Sequence, residues 1–405
     1  MHYRLNGSVL SMKTKLRIAL FTDSYLEVNG VANTSRQLAA QAMRADQPFL
    51  IIHAGPLTGL TTEGCLKRLI LHRSQVGFPL DADLRFDLLI WRYARRVIET
   101  LMDFRPDLIH LTGPSDIGLL GALLAWQLRI PVITSWHTNV HEYARQRLER
   151  FGNRLGLKLP DHLGSFIERT SLIPLGWFHR LGRILLTPNV ELSSQLGAIC
   201  RRPTKLMRRG VDTVLFSPAK RDRSEEIFNI GYIGRLTAEK NVRSLVEIEQ
   251  ELVKVGLQAF QFTIVGTGSE QEWLRQSMKR AVFTGVLKGE ALARTCANMD
   301  LFVFPSTTDT FGNVVLEAQA SGVPAIVSSG GGPKYIIADG VTGFVANQTS
   351  DFTRLICQLY QQPGQREEMA LAARRHAEMM NWESIFADLL EAYEETLMIG
   401  EKHLG

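Results

Sequence analysis

From Lys15 onward, short apolar runs alternate regularly with segments of helical periodicity, and this pattern constrains the fold more than any other feature. The runs are apolar throughout, which is typical of strands buried on both faces of a parallel sheet. Helices between such strands act as crossover connections, so the pattern predicts a doubly wound α/β architecture. The predicted strands are Arg17–Phe21, Phe49–His53, Asp107–Leu111, Val132–Ser135 and Ile184–Thr187, then Phe228–Ile233, Gln261–Val265, Val282–Thr284, Leu301–Phe304 and Ala325–Ser328.

Two such series in succession predict two doubly wound, Rossmann-like domains, and 405 residues are enough for both. A boundary is expected within Pro203–Ser224, which is charged, contains two prolines and has weak periodicity. The predicted organisation is a loose extension over 1–15, an N-terminal domain over 16–205, a C-terminal domain over 206–381 and a final helical segment over 382–405. Its helix, Trp382–Leu397, is expected to cross back onto the N-terminal domain.

Cysteine use and the N-terminus point to the cytoplasm. The cysteines are widely spaced and predicted to be reduced and buried, without a zinc site or disulfide framework; they are Cys65, Cys200, Cys296 and Cys357. No signal peptide is expected, and Met12 is a second candidate start besides Met1. The longest apolar stretch, Ile117–Leu128, is too short to span a bilayer and is interpreted as a buried helix.

The strongest local motif is Asp309–Glu317, which follows the strand Leu301–Phe304 and leads into a helix beginning near Gly312. Backbone N–H groups at a helix start bind anions, so a diphosphate or a developing negative charge would fit there. These amides belong to Phe311, Gly312, Asn313 and Val314. Glu317 is placed to accept hydrogen bonds from ribose hydroxyls, and Asp309 to bind sugar hydroxyls. A capping acid followed by a solvated helix glutamate is the alternative.

The loop after Phe228–Ile233 places Arg235 and Lys240 at a strand end, where two cations suit a diphosphate leaving group. A solvated basic loop is the alternative, but ligands of open α/β sheets bind beyond the carboxyl ends of strands. Gly266 and Gly268 follow the next strand. They allow a sharp turn and leave room for a base or ribose, although an isolated GxG is weak evidence.

In the first half of the chain, Gly30 follows the first strand and allows close approach of a phosphate or acceptor. The full GxGxxG fingerprint is lacking, as is an acidic residue at the expected distance, which argues against an NAD enzyme. His137 follows the strand Val132–Ser135 and can hydrogen-bond a sugar hydroxyl, while a packed structural histidine fits equally well. His110, within a strand, is interpreted as structural.

Residues 141–183 interleave many arginines with apolar side chains. Basic amphipathic helices of this kind lie on anionic membranes, and an ordinary helix pair packed on its own sheet is the alternative. The formal net charge of +5 suits phosphate-bearing ligands or an anionic surface. No nucleic-acid partner is expected. The localisation predicted is cytoplasmic, with peripheral contact at the inner membrane face left open.

Taken together, Gly234–Lys240 and Asp309–Glu317 resemble the retaining glycosyltransferases of family 4, which have the GT-B fold. The resemblance covers nearly the whole chain from Lys15 and is similar to the branch of nucleotide-diphosphate-mannose mannosyltransferases and sulfoquinovosyl-diacylglycerol synthases. Other matching segments are Asp23–Val31, Ser135–Tyr143, Arg209–Asp212 and Gly340–Phe344. One departure is Lys334–Tyr335, where many members carry a glutamate after the glycine pair.

The resemblance implies a retaining hexosyltransferase that moves a hexose, mannose as the first expectation, from a nucleotide-diphosphate sugar to a glycolipid or other sugar acceptor. The N-terminal domain would bind the acceptor and the C-terminal domain the donor. By this resemblance, Arg235 and Lys240 neutralise the diphosphate, Glu317 binds ribose, Gly285, Val286 and Leu287 frame the base, His137 and Asp309 hold the hexose, and Asn29 and Gly30 line the phosphate and acceptor side.

No cofactor beyond the donor is expected, and no metal, because the chain shows no DxD clamp in a suitable loop. Three alternatives stay open at this point. One is a nucleotide-sugar epimerase or hydrolase of the same fold. The second is a transferase that uses UDP-glucose or UDP-galactose and a soluble acceptor, and the third is a non-catalytic binding protein.

Overall fold

The computed structural model describes residues 15–27, 29–74, 76–79, 85–137, 175–223 and 227–401. The chain folds as two compact units, residues 1–132 and residues 133–405. Most of the predicted N-terminal extension, and residues 141–174 of the predicted membrane-contact segment, lie outside the described residues. The domain boundaries taken from the sequence stay predictions.

The first unit is built around a parallel sheet. Its elements are β1 (Ile18–Thr22), α1 (Gly30–Arg44), β2 (Phe49–Gly55), β3 (Gly59–Glu63), β4 (Leu66–His72), β5 (Gly77–Pro79), β6 (Arg85–Asp87), α2 (Ala94–Phe104), β7 (Leu108–Leu111) and α3 (Asp116–Leu128). The strand order is β7-β1-β2-β4-β3, and only β3 runs antiparallel. Ile18 lies opposite both Phe49 and Leu108. Every residue of β1 is buried, as expected for a central strand.

The features of this unit that were not predicted correctly include the β3–β4 hairpin and the exposed face of α3. The β3–β4 hairpin was missed because β3 is largely exposed and β4 alternates buried and part-exposed residues, so neither forms a continuous apolar run. Gly64, in the two-residue turn between them, has a φ of 56°. The helix predicted to be buried over Ile117–Leu128 is buried on one face, while on the other Trp126 is 79% exposed and Leu123 is also exposed.

The second unit contains a run of three parallel strands and a six-stranded parallel sheet. Its elements are β8 (Val132–Ser135), β9 (Leu185–Thr187), α4 (Val190–Cys200), β10 (Thr204–Leu206), β11 (Phe228–Ile233), α5 (Ser244–Lys254), β12 (Phe260–Val265), α6 (Gln271–Ser277), β13 (Ala281–Gly285), α7 (Gly289–Ala297), β14 (Leu301–Phe304), α8 (Asn313–Ala320), β15 (Ala325–Ser328), β16 (Gly343–Ala346), α9 (Thr349–Gln361), α10 (Pro363–Met379) and α11 (Trp382–Glu401). The three strands are neighbours in the order β10-β9-β8, and the six-stranded sheet, named the large sheet, has the order β13-β12-β11-β14-β15-β16. The prediction of doubly wound parallel sheets in succession is confirmed.

The final helix, α11, contacts the segment that precedes β9. The Arg183 guanidinium donates to the carbonyl oxygen of Thr396 at 3.1 Å, and Lys205 forms an ion pair with Glu395. Helix α11 extends to Glu401, four residues beyond the predicted end. None of the described helices combines the length and the apolar content that a bilayer crossing requires.

All four cysteines are free, in agreement with the sequence. Burial was predicted for all of them, and the structure confirms it for Cys200 and Cys296 only. Cys65 and Cys357 are partly exposed. Burial raises the pKa of the Cys296 thiol to about 12, so this thiol is inert at neutral pH.

Candidate functional site

Strand β11 is the topological switch point of the large sheet. The chain passes from β11 to β12 on one side, and β14 pairs with β11 on the other. At such a point the loops that follow the two strands diverge and leave a crevice at the carboxyl edge, which is where open α/β sheets bind ligands. The loops concerned are Gly234–Lys240, which was singled out from the sequence, and Pro305–Gly312, which contains the start of the predicted Asp309–Glu317 motif.

An ion pair joins these two loops. The Lys240 ammonium lies 2.7 Å from Asp309 Oδ1, and the two side chains are 9% and 22% exposed. A short 3-10 turn over Ala238–Lys240, ended by Asn241 with a φ of 52°, turns Lys240 inward. Asp309 Oδ2 is buried and has no hydrogen-bond partner among the described residues. One carboxylate oxygen is therefore available as an acceptor, and the ammonium keeps two further N–H donors.

Arg235 lies beside this pair. The buried Tyr232 hydroxyl donates to the Arg235 carbonyl oxygen at 3.1 Å. Burial first, and then the negative charges of Asp309 and Glu239, raise the pKa of Tyr232 well above its usual range, while Arg235 opposes them. Asp309, Glu239 and Arg235 therefore all lie close enough to the Tyr232 hydroxyl to affect its pKa. The Arg235 guanidinium is half exposed and lies 3.8 Å from Glu239, so it stands at the mouth of the crevice.

The helix that follows Asp309 begins with a glycine cap. Helix α8 starts at Asn313, and its N-cap is Gly312, with a φ of 97° and no side-chain capping bond. Asp309 is not the cap, so the capping alternative considered for it does not apply. Phe311 is buried, while Gly312, Asn313 and Val314 are half-buried at the helix start. Uncapped N–H groups at a helix start favour an anionic ligand.

The Gly330–Gly332 run fixes this loop from the other side. A Cβ on Gly332 would lie 1.9 Å from the carbonyl oxygen of Thr310, and one on Gly331 would lie 2.9 Å from that of Asp309. The Gly332 amide donates to the Asp309 carbonyl at 2.6 Å. These glycines let the backbones of two loops come into contact.

Glu317 lies on α8, half-buried, and burial raises the pKa of its carboxyl to about 7. Its charge contributes to the raised pKa of the neighbouring Cys296. Among the described residues, no hydrogen bond or ion pair connects the Glu317 side chain to Lys240 or Asp309. The structure thus brings Arg235, Lys240 and Asp309 together and places Glu317 on α8, the helix that follows the Asp309 loop.

The glycines after β12 pack against the loop after β11. A Cβ on Gly266 would lie 1.9 Å from the Gly234 carbonyl oxygen, and one on Gly268 would lie 2.2 Å from that of Leu236. Because these two glycines lack side chains, the backbone of the loop after β11 can pack directly against them. Three consecutive loops share this edge, because the Gly266 amide also donates to Gly285 at 2.8 Å.

The two residues after Gly285 were predicted to frame the base. Val286 is 55% exposed. Leu287 is half-buried and packs against the core of the large sheet. Both follow β13 directly, so they extend the shared edge by one strand.

His137 follows β8 and is held at three points. Its Nε2 lies 2.6 Å from Ser135 Oγ, and its Nδ1 lies 2.7 Å from Arg209 Nη2. Its carbonyl oxygen accepts a hydrogen bond from the Thr310 hydroxyl at 2.9 Å, and the Asn189 amide donates to the Thr310 carbonyl at 3.0 Å. His137 is therefore tied to the loop that carries Asp309.

Gly30 lies in the first unit, where it opens α1 and is exposed. Asn29 caps that helix by accepting from the Ala32 amide at 2.9 Å. Nearby, after β1, Asp23 accepts a hydrogen bond from Ser115, and burial raises the pKa of Asp23 to about 6. Asp23 marks the switch point of the first sheet, since β1 pairs with both β2 and β7.

Sequence reasoning assigned no role to four residues of the second-unit site: Ser135, Arg209, Tyr232 and Thr310. Tyr232 gives a weak signal as the one hydroxyl-bearing side chain in an apolar strand, and Thr310 lies inside the strongest motif. Arg209 gives no signal in the sequence, because nothing in a basic linker indicates which arginine is buried. The described residues contain no group of three or more His, Cys, Asp or Glu side chains arranged to hold a metal ion.

Two family models match the chain. The model described as Glycosyltransferase Family 4 matches residues 28–182, and the model described as Glycosyl transferases group 1 matches residues 227–362. The second match contains both loops of the large-sheet crevice.

Similar proteins include two bacterial GDP-mannose-dependent alpha-mannosyltransferases. The one from Mycobacterium tuberculosis is 30% identical over 94% of this chain and 96% of its own length. The one from Corynebacterium glutamicum is 29% identical over 96% of this chain and 91% of its own. The sulfoquinovosyl transferase SQD2 of Arabidopsis thaliana is 29% identical over 71% of this chain and 56% of its own length.

Among solved structures, the sucrose-phosphate synthase of Thermosynechococcus elongatus superposes with a TM-score of 0.70. The match covers 95% of this chain and 100% of the synthase chain, at 18% sequence identity. At that identity the likeness concerns the fold.

Proposed function

We propose that this chain, which belongs to glycosyltransferase family 4, transfers an α-mannosyl group from GDP-mannose to a glycolipid acceptor. Its fold is GT-B, and it is a hexosyltransferase that takes a nucleotide-sugar donor, as its relatives do. The choice of GDP-mannose within that class is supported by two relatives named for this donor that match nearly the whole chain. Retention of anomeric configuration is consistent with the family.

The ion pair between Lys240 and Asp309 at the switch point of the large sheet is the observation that carries the site. A leaving diphosphate needs cations and N–H donors, and here they are the Lys240 ammonium, the Arg235 guanidinium and the start of α8. A hexose needs acceptors for its hydroxyls, and Asp309 Oδ2 has no hydrogen-bond partner in the part of the chain that the structure describes. Both sets of groups meet within two adjacent loops, so the crevice suits a sugar joined to a diphosphate.

The proposed reaction is a same-face displacement. The bond between anomeric C1 and the β-phosphate oxygen breaks, its electron pair leaves with GDP, and the acceptor oxygen bonds to C1 on the face that GDP leaves. The acceptor proton passes to the departing phosphate oxygen. Preorganised cations and amides stabilise the charge that develops on the phosphate, which is usually the largest catalytic contribution. We propose no covalent intermediate on Asp309, because its Lys240 pair makes it a weaker nucleophile.

We further propose that the reaction needs no divalent metal. Lys240, Arg235 and the α8 amides supply the positive charge that a metal ion would otherwise bring to the diphosphate. Initial rates measured with about 5 mM magnesium and with excess EDTA would test this proposal. We expect equal rates after metal removal, and loss of activity that magnesium restores would contradict it.

Peripheral contact with an anionic membrane is proposed for residues 141–183. The described end of this segment supports it, since Trp177 is 69% exposed and Leu181 is 54% exposed beside Arg180. Aromatic and basic side chains together favour the headgroup region. Co-sedimentation with vesicles of phosphatidylglycerol, compared with phosphatidylcholine, would test it. Equal binding to both would contradict it.

The donor is tested by incubating purified protein with GDP-mannose, UDP-glucose, UDP-galactose or UDP-sulfoquinovose, with and without a lipid extract. We expect lipid-dependent release of GDP and a new mannosylated lipid. Preference for a UDP-sugar would refute the choice of donor while leaving the transferase assignment intact. Turnover of donor without any acceptor would instead favour the epimerase or hydrolase alternative.

A further inference from the structure

We propose that Asp23 binds a hydroxyl group of the acceptor, in a site of the first unit whose exposed apolar rim receives the lipid chain of that acceptor. The inference rests on the proposed function for the existence of an acceptor, and it adds the residue that binds it and the class of molecule. The residues that carry it all belong to the first unit, whereas the donor crevice belongs to the second.

One carboxylate oxygen of Asp23 lacks a protein partner. Asp23 directly follows β1, at the switch point of the first sheet, and its side chain is half-buried. Its Oδ1 accepts a hydrogen bond from the Ser115 hydroxyl. No described residue donates a hydrogen bond to Oδ2 or forms an ion pair with it. Polar atoms that are largely removed from water normally have a hydrogen-bond partner, so Oδ2 is suited to receive a donor from a ligand.

Gly113 leaves open space beside this oxygen. It is the second residue after β7, and a Cβ built on it would lie 3.1 Å from Asp23 Oδ2. Apart from the chain neighbours of Gly113, no other atom of the described residues lies within 4 Å of that position. The backbone of Gly113 does not have a positive φ, so its conformation does not require glycine. The missing side chain therefore provides room for a ligand atom next to Oδ2.

Thr112 carries a second polar group without a partner at the same strand end. It is 6% exposed, and its hydroxyl makes no hydrogen bond to any described residue. Its amide donates to the Phe21 carbonyl at 3.1 Å, which ties the end of β7 to the end of β1. Buried hydroxyls are normally hydrogen-bonded. Two polar groups at adjacent strand ends thus lack a partner from the protein.

The charges around Asp23 favour a neutral donor. Burial, and then the charges of Asp116 and Glu27, raise the pKa of Asp23 to about 6, while the Ser115 hydrogen bond and Arg73 lower it. Asp23 is therefore ionised above neutral pH and can only accept hydrogen bonds. Arg73 forms an ion pair with Asp116 at 3.1 Å, and its charge opposes a cationic ligand beside Asp23. A hydroxyl group fits these conditions.

Exposed apolar side chains follow the strands at this edge of the first sheet. Leu88 follows Asp87, whose amide donates to Asp116 Oδ2 at 3.0 Å, and Asp116 follows the Ser115 that holds Asp23. The apolar residues are therefore joined to the acid by a short series of contacts. We call them the apolar rim; they are Leu26, Leu57, Val76, Leu88, Leu89 and Trp91.

The composition of this rim favours a lipid as its occupant. An exposed apolar group of this size marks a binding surface. Trp91 lies next to Arg92 and close in sequence to Arg95, whose side chain is 92% exposed. Tryptophan and arginine beside aliphatic side chains are typical of surfaces that contact lipid chains and their headgroups. A hydroxyl-bearing headgroup on Asp23 would place its lipid chain on the rim.

The first test measures binding without any donor. Octyl α-D-mannopyranoside and methyl α-D-mannopyranoside, both below the concentration of micelle formation, are titrated into full-length protein and followed by NMR. We expect the octyl glycoside to bind at least about tenfold more tightly, because each buried CH₂ contributes. Trp91→Ser should remove most of this advantage. A wild type that binds neither glycoside, or both equally, would overturn the inference.

The second test changes the oxygen and the space beside it. Asp23→Asn keeps an oxygen for Ser115 and replaces Oδ2 by an N–H donor, and Gly113→Ala places a methyl group at the open position. Both variants should raise the Kd of the octyl glycoside at least about tenfold without lowering the melting temperature. Thr112→Val should weaken binding in the same direction. Gly59→Ala is the matched control, since nothing lies within 4 Å of its Cβ, and should change neither quantity.

The third test is kinetic and separates acceptor from donor. With GDP-mannose and a lipid extract, the extract concentration at half-maximal rate should rise in Asp23→Asn and Gly113→Ala. The Kd of GDP should stay within about twofold of wild type, because GDP binds in the second unit. Unchanged acceptor dependence in both variants would overturn the inference, and so would an equal loss of GDP binding.

Two further outcomes are distinguishable. If the proposed function is wrong, transfer from GDP-mannose is absent, while binding of the octyl glycoside and its loss in Asp23→Asn persist. If a second copy of the chain covers the rim, ultracentrifugation detects a dimer that Trp91→Ser dissociates, and the octyl glycoside gains nothing over the methyl glycoside. That result would overturn the assignment of the rim to a lipid chain.

Discussion

Replacing Lys240 with methionine separates the structural from the catalytic contribution of its pair with Asp309. Methionine keeps the length of the side chain and removes the charge. The Lys240 side chain is 9% exposed, so the change leaves the Asp309 carboxylate, 22% exposed, without its cation. Removing one partner of a fully buried pair costs about 3–5 kcal/mol, and the partial exposure of Asp309 places our expectation at about 2–3 kcal/mol of unfolding free energy.

The catalytic loss has a different origin. A preorganised group that stabilises a developing charge is worth about 2.7–4 kcal/mol, so kcat should fall about 100- to 1000-fold. Asp309→Asn removes the negative charge that Lys240→Met leaves without a cation. The double variant Lys240→Met/Asp309→Asn should therefore regain most of the lost stability. Its kcat should stay low, because the cation that faces the diphosphate is still missing.

Urea unfolding gives the stability, and transfer of radiolabelled hexose at saturating donor gives kcat. Lys254→Met is the matched control, since it removes a lysine from an exposed pair with Glu251 and should change neither quantity much. If the double variant recovers kcat together with stability, the pair is only structural. A single Lys240→Met variant within tenfold of wild type would equally refute the reasoning.

Two further predictions follow from burial and from backbone geometry. Burial raises the pKa of Glu317 to about 7 from its usual 4.5, so the folded state loses stability as pH rises through this range. We expect Glu317→Gln to be about 3 kcal/mol more stable than wild type at pH 8 and equal to it near pH 4.5, measured by urea unfolding; a constant difference across this range would contradict the burial argument. Gly266→Ala should lower the melting temperature strongly, because its φ is 134° and its Cβ would lie 1.9 Å from the Gly234 carbonyl. Gly364→Ala, in the open first turn of α10, should leave the melting temperature unchanged or raise it, and equal effects of the two alanines would rule out this explanation.

The sequence predicted the large sheet well because its strands are continuous apolar runs. Leu301–Phe304, Ala325–Ser328 and Phe228–Ile233 were predicted to the residue. The β3–β4 hairpin was missed because an edge hairpin needs neither a continuous apolar run nor a strong turn dipeptide. Its Gly64-Cys65 turn is a weak signal.

The amino-acid sequence by itself determined the doubly wound α/β class, because burial of a parallel strand on both faces requires apolar side chains at every position. It also determined which loops carry charge after β11 and β14, since a loop directly follows its strand. Tertiary structure alone decided that Lys240 contacts Asp309, that Gly266 faces backbone and that Arg209 reaches His137. Those contacts join residues 69, 32 and 72 positions apart, and only the order of strands in the sheets brings such residues together.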